Sequence, residues 1–155
     1  MRGGISGRAL AWGLAVLLAL ALAGQTVRAV RRLAASQLLA RAEALSLAMA
    51  TAGRAPAALL AVNLAMLDRA AQLDPVEVEV PVARGGQFLL AGRPEAALAP
   101  YARALALEPH PEIYLDLARA YAALGEPEKA RANLDLALRL SPWLRPQAPP
   151  GLAAP

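Results

Sequence analysis

The sequence has no cysteine, one histidine and only six aromatic residues among its 155 positions. Without cysteine, disulfides, thiol catalysis and cysteine-based zinc or iron–sulfur sites are excluded. With so few aromatic side chains, the interior has to be filled largely by alanine and leucine, which are strong helix formers. The composition therefore predicts an all-α protein whose helices approach each other closely.

Acidic residues are scarce in the first part of the chain. Residues 1–60 contain seven arginines and one acidic residue, whereas residues 61–155 contain nine basic and eleven acidic residues. The net charge of +4 therefore comes from the N-terminal part, where it surrounds a hydrophobic segment. This distribution argues against a nucleic-acid-binding groove in the remainder of the chain.

The hydrophobic segment covers residues 9–27 and is flanked by Arg8 and Arg28. At 1.5 Å per residue, a helix of this length roughly spans a hydrocarbon core of about 30 Å. Trp12 lies near one end, where an indole suits the headgroup boundary. We therefore predict a transmembrane anchor over residues 1–27 that crosses a bacterial cytoplasmic membrane once.

A cleavable signal peptide is the alternative, with Arg2 and Arg8 as its basic region and Ala21–Ala23 as a small-residue cleavage site. However, the next proline after the segment is Pro56, and no turn signal interrupts the chain before Gly53. Several residues beyond the segment recur at helical spacing: Leu33, Gln37, Leu38, Ala42 and Leu45. This pattern fits an anchor helix that continues past the arginines at its end. It fits less well a mature protein whose N-terminus would lie in the middle of a helix.

The arginine positions give conflicting indications of orientation. Arg28, Arg31 and Arg32 outnumber the arginines before the segment, which would keep the C-terminal part in the cytoplasm. A short N-terminal tail before an uncleaved signal-like segment more commonly stays inside, which would export that part. We favour the periplasmic side.

Two stretches of the sequence are closely similar at an offset of 33 residues, Gly92–Pro109 and Gly125–Pro142. They are identical at nine of eighteen aligned positions, and a fixed period of this length is typical of stacked helical repeats. In each copy a glycine ends one helix, a proline begins the next, and a second proline closes the unit. The segment before each glycine also has helical spacing, so each unit is a helix–turn–helix.

These units resemble tetratricopeptide repeats (TPR). The second copy matches the signature of the family at Tyr114, Leu117, Ala118, Tyr121, Ala130, Leu134, Ala137 and Pro142. The first copy matches it at Gly85, Phe88, Ala97, Tyr101, Ala104 and Pro109. The first copy departs at Pro81 and Arg84, where a large residue and a leucine are expected. We therefore predict that its first helix begins around Val82 or Ala83.

A third, degenerate unit precedes the two repeats. Pro75 lies 34 residues before Pro109, Ala70 takes the matching alanine position, and Pro56 opens a second helix after the turn residues 53–55. One hairpin cannot bury both faces of its helices, and about three stacked units are usually needed.

The resulting prediction is a transmembrane helix followed by a short TPR-type α-solenoid of helix–turn–helix hairpins. Its parts are the anchor (1–27), a helical linker with a degenerate TPR-like hairpin (28–77), two TPR repeats (78–142) and a proline-rich tail (143–155). We expect Trp143 and Leu144 of the tail to cover the open edge of the last hairpin.

In the TPR family the first helices of successive repeats line a concave groove that commonly holds a peptide or a partner helix. The resemblance assigns eight residues to this groove: Glu79, Val82, Gly86, Leu89, Glu112, Leu115, Arg119 and Ala122. For Leu89 and Leu115, packing between neighbouring helices is an equal alternative. The Lys/Asn set that holds a C-terminal carboxylate in chaperone-binding members is not matched, because Arg119 stands alone. A mixed apolar groove of this kind suits a helix or an extended segment of another protein.

The sequence contains no pattern typical of an enzyme. His110 lies in a turn and has no second imidazole or thiol with which to complete a common transition-metal site. Glu77 and Glu79 alternate with valines, which fits a solvated linker face better than a catalytic pair. We therefore expect no catalytic residue, no metal site and no cofactor.

The sequence thus favours a non-catalytic, membrane-anchored scaffold or adaptor that binds a partner protein at a bacterial membrane. Envelope, secretion or polysaccharide assembly are settings in which the family often works. The alternative is a structural accessory subunit, packed permanently into a larger integral membrane complex through the anchor helix. Gly13 and Gly24, which permit close helix approach, motivate this alternative.

Overall fold

The computed structural model describes residues 7–53, 56–149 and 151–152. Six α-helices follow one another along these residues: α1 (Gly7–Thr51), α2 (Ala57–Leu73), α3 (Glu79–Leu90), α4 (Pro94–Leu107), α5 (Pro111–Ala123) and α6 (Pro127–Leu140). A 3₁₀ helix (Pro142–Gln147) follows α6 directly. The predicted all-α class is confirmed.

The helices pair as three hairpins, α1–α2, α3–α4 and α5–α6. Consecutive hairpins are joined because α2 packs on α3 and α4 packs on α5. In addition, α3 contacts both α1 and α5, so the first helices of the three hairpins are neighbours. This stacking is the predicted α-solenoid, in which each hairpin buries the face that its neighbour leaves open.

Small buried side chains lie at the helix contacts of all three hairpins. The following alanines are at most 1% exposed: Ala35, Ala42, Ala70, Ala97, Ala104, Ala118, Ala120, Ala130 and Ala137. Larger side chains fill the space between them, above all Leu67, Tyr101 and Leu134. The core is therefore a chain of clusters from α1 to α6, and the sparse aromatic content is sufficient to fill it.

Two glycine turns separate the helices within the repeats. Gly92 and Gly125 have φ angles of 67° and 72°, in the left-handed region that glycine adopts without steric cost. At the first turn the amide of Arg93 donates to the carbonyl of Phe88 at 2.8 Å. This is the 6→1 hydrogen bond of a Schellman motif. Because Pro94 begins α4 two residues later, the predicted glycine–proline turn is observed.

The start of α3 differs from the prediction. The helix begins at Glu79 rather than at Val82 or Ala83. Pro81 is therefore the third residue of the helix, where the amide that proline lacks would have no intrahelical partner. Arg84, which stands where the family has leucine, is half-buried and forms an ion pair with Asp68 of α2.

Helix α1 is continuous from Gly7 to Thr51, and its environment changes along its length. From residue 11 to residue 33 every side chain is exposed, including Leu14 at 70% and Leu17 at 65%. From Ala35 onward one face is buried against α2 and α3. The spacing prediction holds in part: Ala42 is buried and Leu38 and Leu45 are half-buried, whereas Leu33 and Gln37 are exposed. Ala35 and Leu39, which the spacing did not single out, are buried.

The described part of α1 is long and apolar enough to cross a membrane, with a mean hydropathy of 1.7 over an 18-residue stretch within Ala11–Thr51. A signal sequence near the N-terminus has the same property. Arg2 lies outside the described residues, as do residues 54 and 55 of the turn predicted before Pro56.

The chain beyond α6 covers the last hairpin with a leucine. Leu144 is 0% exposed and packs with Leu115, Ala118 and Leu134. Trp143, for which the sequence predicts the same role, is 62% exposed. Leu144 rather than the indole therefore closes the solenoid at this end.

The closest helix approach in the repeats is expected to depend on Gly85. A Cβ atom there would lie 2.6 Å from the ring of Tyr101, which is buried at 1% exposure. At the adjacent Gly86 the nearest atom would be 3.9 Å away. We predict that Gly85→Ala destabilises the protein by about 1–3 kcal/mol through overpacking. Gly86→Ala should stabilise it by about 0.5–1 kcal/mol, because alanine is the better helix former.

Thermal or denaturant unfolding of the two variants measures this contrast directly. Each substitution adds one methyl group to the same helix at adjacent positions, so each serves as the control for the other. Equal effects of the two substitutions would contradict the role assigned to Gly85.

A groove between the first helices of the hairpins

A groove of about 500 Å³ lies between the C-terminal half of α1 and helix α3. Its lining comes from all three first helices: Glu43, Ser46, Leu47 and Ala50 of α1, Glu79, Val82, Ala83, Gly86, Gln87 and Leu90 of α3, and Asp116 of α5. The groove exists because α1, the first helix of the degenerate hairpin, lies beside α3, the first helix of the next hairpin. Its floor is mainly apolar, and its rim is acidic.

Three of the predicted groove residues, Glu79, Val82 and Gly86, line this groove. Two others pack between helices, Leu89 half-buried and Leu115 buried. Leu89 packs beside Tyr101 between α3 and α4, and Leu115 is 2% exposed beneath Leu144. For these two leucines the structure thus shows packing between helices, which was the alternative interpretation.

The remaining three predicted residues lie on α5. Arg119 donates through Nη1 to Asp116 Oδ1 at 2.8 Å and through Nη2 to the backbone carbonyl of Gln147 at 2.9 Å. Glu112 contacts the imidazole of His110, and Ala122 is half-buried. Arg119 therefore helps to fix the C-terminal 3₁₀ helix on the last hairpin.

A small polar cluster holds the groove wall together. Asn63 of α2 is fully buried and donates to the carbonyl of Ala42 at 2.8 Å and to Ser46 Oγ at 3.2 Å. Gln87 of α3, 3% exposed, also donates to Ser46 Oγ. Ser46 thus joins three helices. Within the described residues, Asn63 Oδ1 and Gln87 Oε1 accept no hydrogen bond, and each such buried group costs about 1–3 kcal/mol.

The charges on the groove are negative. Glu43, Glu79 and Asp116 contribute carboxylates, and the described lining residues include no lysine or arginine. Burial raises the pKa of Asp116, and the neighbouring guanidinium of Arg119 opposes this shift. Burial disfavours the charged form of this carboxyl, so any further cation that approaches it would stabilise the carboxylate.

Glu77 and Glu79 form a carboxyl pair at the start of α3. The hydrogen bond between them, partial burial, and the charges of Glu79 and Asp74 together raise the pKa of Glu77 to about 7. The same hydrogen bond lowers the pKa of Glu79. Glu79 lines the groove, whereas Glu77 lines a separate cleft of about 250 Å³ between α2, α3 and α4.

Sequence reasoning missed the contribution of α1, because the first hairpin lacks the glycine and aromatic signatures of the repeats. One signal was available. Glu79 and Glu112 are separated by the repeat offset of 33 residues. The residue 33 positions before Glu79 is Ser46, which lines the groove. Gln87 and Asp116 had no such signal, because their positions become clear only when three helices are placed together.

Potential catalytic or metal-binding groups are sparse in this region. Among the described residues there is no group of three or more His, Cys, Asp or Glu side chains that could hold a metal ion. His110 is exposed between α4 and α5, where its Nδ1 contacts Glu112.

The stacked hairpins define the class of the protein as an α-solenoid. Residues 88–142 match the family model described as tetratricopeptide repeat. The crystal structure of a thermophilic TPR protein in Thermus thermophilus is similar, with 27% sequence identity and a TM-score of 0.64. The match covers 86% of this chain and 73% of that chain. A comparison with curated proteins gives no match.

These findings confirm the resemblance stated from the sequence. Residues 88–142 thus carry tetratricopeptide repeat sequence, and the fold of the chain resembles that of a TPR solenoid. The matched residues begin within α3 and end at Pro142, so they include the second, third and fourth helices of the two repeats.

The carboxyl pair predicts a pH dependence of stability. The pKa of Glu77 is raised from an ordinary value of 4.5 to about 7, so folding favours its protonated form. The unfolding free energy should therefore fall as the pH rises through about 7. In Glu77→Gln the side chain cannot ionise but keeps a donor toward Glu79, so its stability relative to wild type should increase from about pH 5 to about pH 8.

Denaturant unfolding at several pH values checks this prediction. The matched control is Glu95→Gln, which changes an exposed carboxylate in the first turn of α4. Parallel pH profiles for wild type and Glu77→Gln would show that the pair does not share a proton.

Proposed function

We propose that this protein is a non-catalytic, membrane-anchored adaptor whose groove binds a segment of a partner protein at a bacterial membrane. The observation that carries the proposal is the double role of α1. Its first part exposes apolar side chains on every face, and its last part forms one wall of the groove. Such an exposed apolar surface requires a cover, and a lipid bilayer provides one of the right length.

In this proposal, the continuous helix α1 holds the groove at a fixed distance from the membrane. From Arg28 to Glu43 the helix rises roughly 22 Å at 1.5 Å per residue. No proline or glycine interrupts this stretch, so the helix acts as a rigid spacer. A bound partner segment would then lie close to the membrane surface, which suits an adaptor in envelope, secretion or polysaccharide assembly.

Extraction of native membranes tests the anchor. The full chain should remain in the membrane fraction at alkaline pH and keep its original N-terminus. Protease added to spheroplasts should digest the repeat domain, because the proposal places that domain on the periplasmic side. A soluble chain with a new N-terminus near Gly24 would show that the segment is a signal peptide. If the protease digests the domain only after the cells are broken, the domain lies on the cytoplasmic side instead.

A substitution in the groove tests partner binding. Leu47 is 66% exposed and lines the groove, so Leu47→Gln should weaken partner binding by about tenfold, equivalent to about 1.4 kcal/mol. Leu140→Gln is the matched control, because Leu140 is 58% exposed on α6 and does not line the groove. Affinity capture from gently solubilised membranes, followed by quantitative mass spectrometry, measures the loss.

Capture that is equal for wild type, Leu47→Gln and Leu140→Gln would contradict the adaptor proposal. If the same fixed-ratio membrane complex is instead lost when Gly13 and Gly24 are replaced by isoleucine, the chain is an accessory subunit held by its anchor. Gly13 and Gly24 motivate this second function, because both lie on the exposed part of α1, where a neighbouring helix could approach the backbone closely.

A further inference from the structure

We propose that the groove selects a cationic amphipathic segment, in which lysine or arginine side chains flank an apolar stretch. This inference rests on the proposed function and specifies the chemistry of the partner. Three independent features of the groove lead to it: the distribution of charge, the apolar floor and a buried acceptor.

The charge distribution disfavours an anionic partner segment. Glu43 approaches the groove from α1, Glu79 from α3 and Asp116 from α5, so carboxylates lie on all three walls. The guanidinium of Arg119, which contacts one of them, already donates to Asp116 and to the carbonyl of Gln147. Because Asp116 is paired in this way, the charge selection rests on the other two walls. An acidic segment would meet like charge from α1 and α3, whereas lysine or arginine would meet a carboxylate on each of them.

The floor of the groove provides a place for apolar side chains. Leu47, Val82 and Leu90 contribute branched side chains, and Leu47 is 66% exposed. Gly86 also lines the groove and carries no side chain. A partner side chain can therefore approach the backbone of α3 closely at this position.

Gln87 supplies an acceptor that none of the described residues satisfies. Its side chain is 3% exposed, lines the groove, and donates through Nε2 to Ser46, while Oε1 accepts no hydrogen bond from the described residues. An ammonium, a guanidinium or a backbone amide can donate to this oxygen, but a carboxylate cannot. The acceptor therefore suits a segment that presents a hydrogen-bond donor, which a lysine, an arginine or a backbone amide can supply.

The segment that fits is short. Toward α6 the solenoid is closed by Leu144 and by the hydrogen bond from Arg119 to the 3₁₀ helix. The open part of the groove thus lies between α1 and α3, with Asp116 at its far edge. The partner needs only a few residues that combine an apolar side chain with adjacent positive charge.

Selection from a phage-displayed library of random peptides on the detergent-solubilised full chain tests this inference. Enriched peptides should carry lysine or arginine beside apolar residues. Their affinity should fall with increasing salt, and it should fall about tenfold in Glu43→Lys/Glu79→Lys. The control Asp135→Lys/Glu95→Lys makes the same charge change at exposed positions outside the groove and should bind as wild type does. Glu43→Gln/Glu79→Gln provides a milder variant, with a smaller loss, if the lysine variant does not fold.

The outcomes separate this inference from the proposed function. Neutral or acidic peptides that bind wild type but not Leu47→Gln would overturn the charge selection and leave the groove as the binding site. Enriched peptides that bind wild type and Leu47→Gln equally, or no enrichment at all, would overturn both the selection of cationic peptides and the groove as the binding site.

Discussion

Close helix approach at alanine and glycine positions is the constraint on which the rest of the structure depends. The contacts within hairpins use alanines that are almost completely buried, such as Ala97, Ala104 and Ala130. The contact between α3 and α4 is tighter still, because the ring of Tyr101 lies where Gly85 has no side chain. Larger residues at these positions would separate the helices and change the curvature that creates the concave face.

The concave face is open at one end and closed at the other. At the C-terminal end, Leu144 buries the core of the last hairpin and Arg119 holds the following 3₁₀ helix by a backbone hydrogen bond. Toward the N-terminus, α1 stands beside α3 without such a cover, and the groove forms there. Ser46 maintains this wall, because it receives hydrogen bonds from both α2 and α3.

Much of the repeat architecture could be predicted from local sequence signals. Glycine and proline have specific backbone requirements, so Gly92, Pro94, Gly125 and Pro127 marked the helix boundaries within the repeats. The same reasoning failed at Pro81, because proline is tolerated in the first turn of a helix and does not mark its first residue.

The groove was less predictable, because it depends on relations between distant segments. Repeat alignment singled out Val82 and Gly86, which line the groove, but it could not show that Leu115 is covered by Leu144. Pairing of Ser46 with Gln87 joins residues 41 positions apart and leaves no periodic signal in the sequence.

Site-specific photo-crosslinking in native membranes is the sharpest test of the groove as the binding face. A photoreactive residue is placed at Leu47 in the groove and, in a second protein, at Leu140 on α6, which is similarly exposed. We expect a discrete crosslinked product with a partner protein from position 47 and none from position 140, with the chain in the membrane fraction. Crosslinking from position 140 alone, or the absence of a product from position 47, would contradict the assignment of this groove as the binding face.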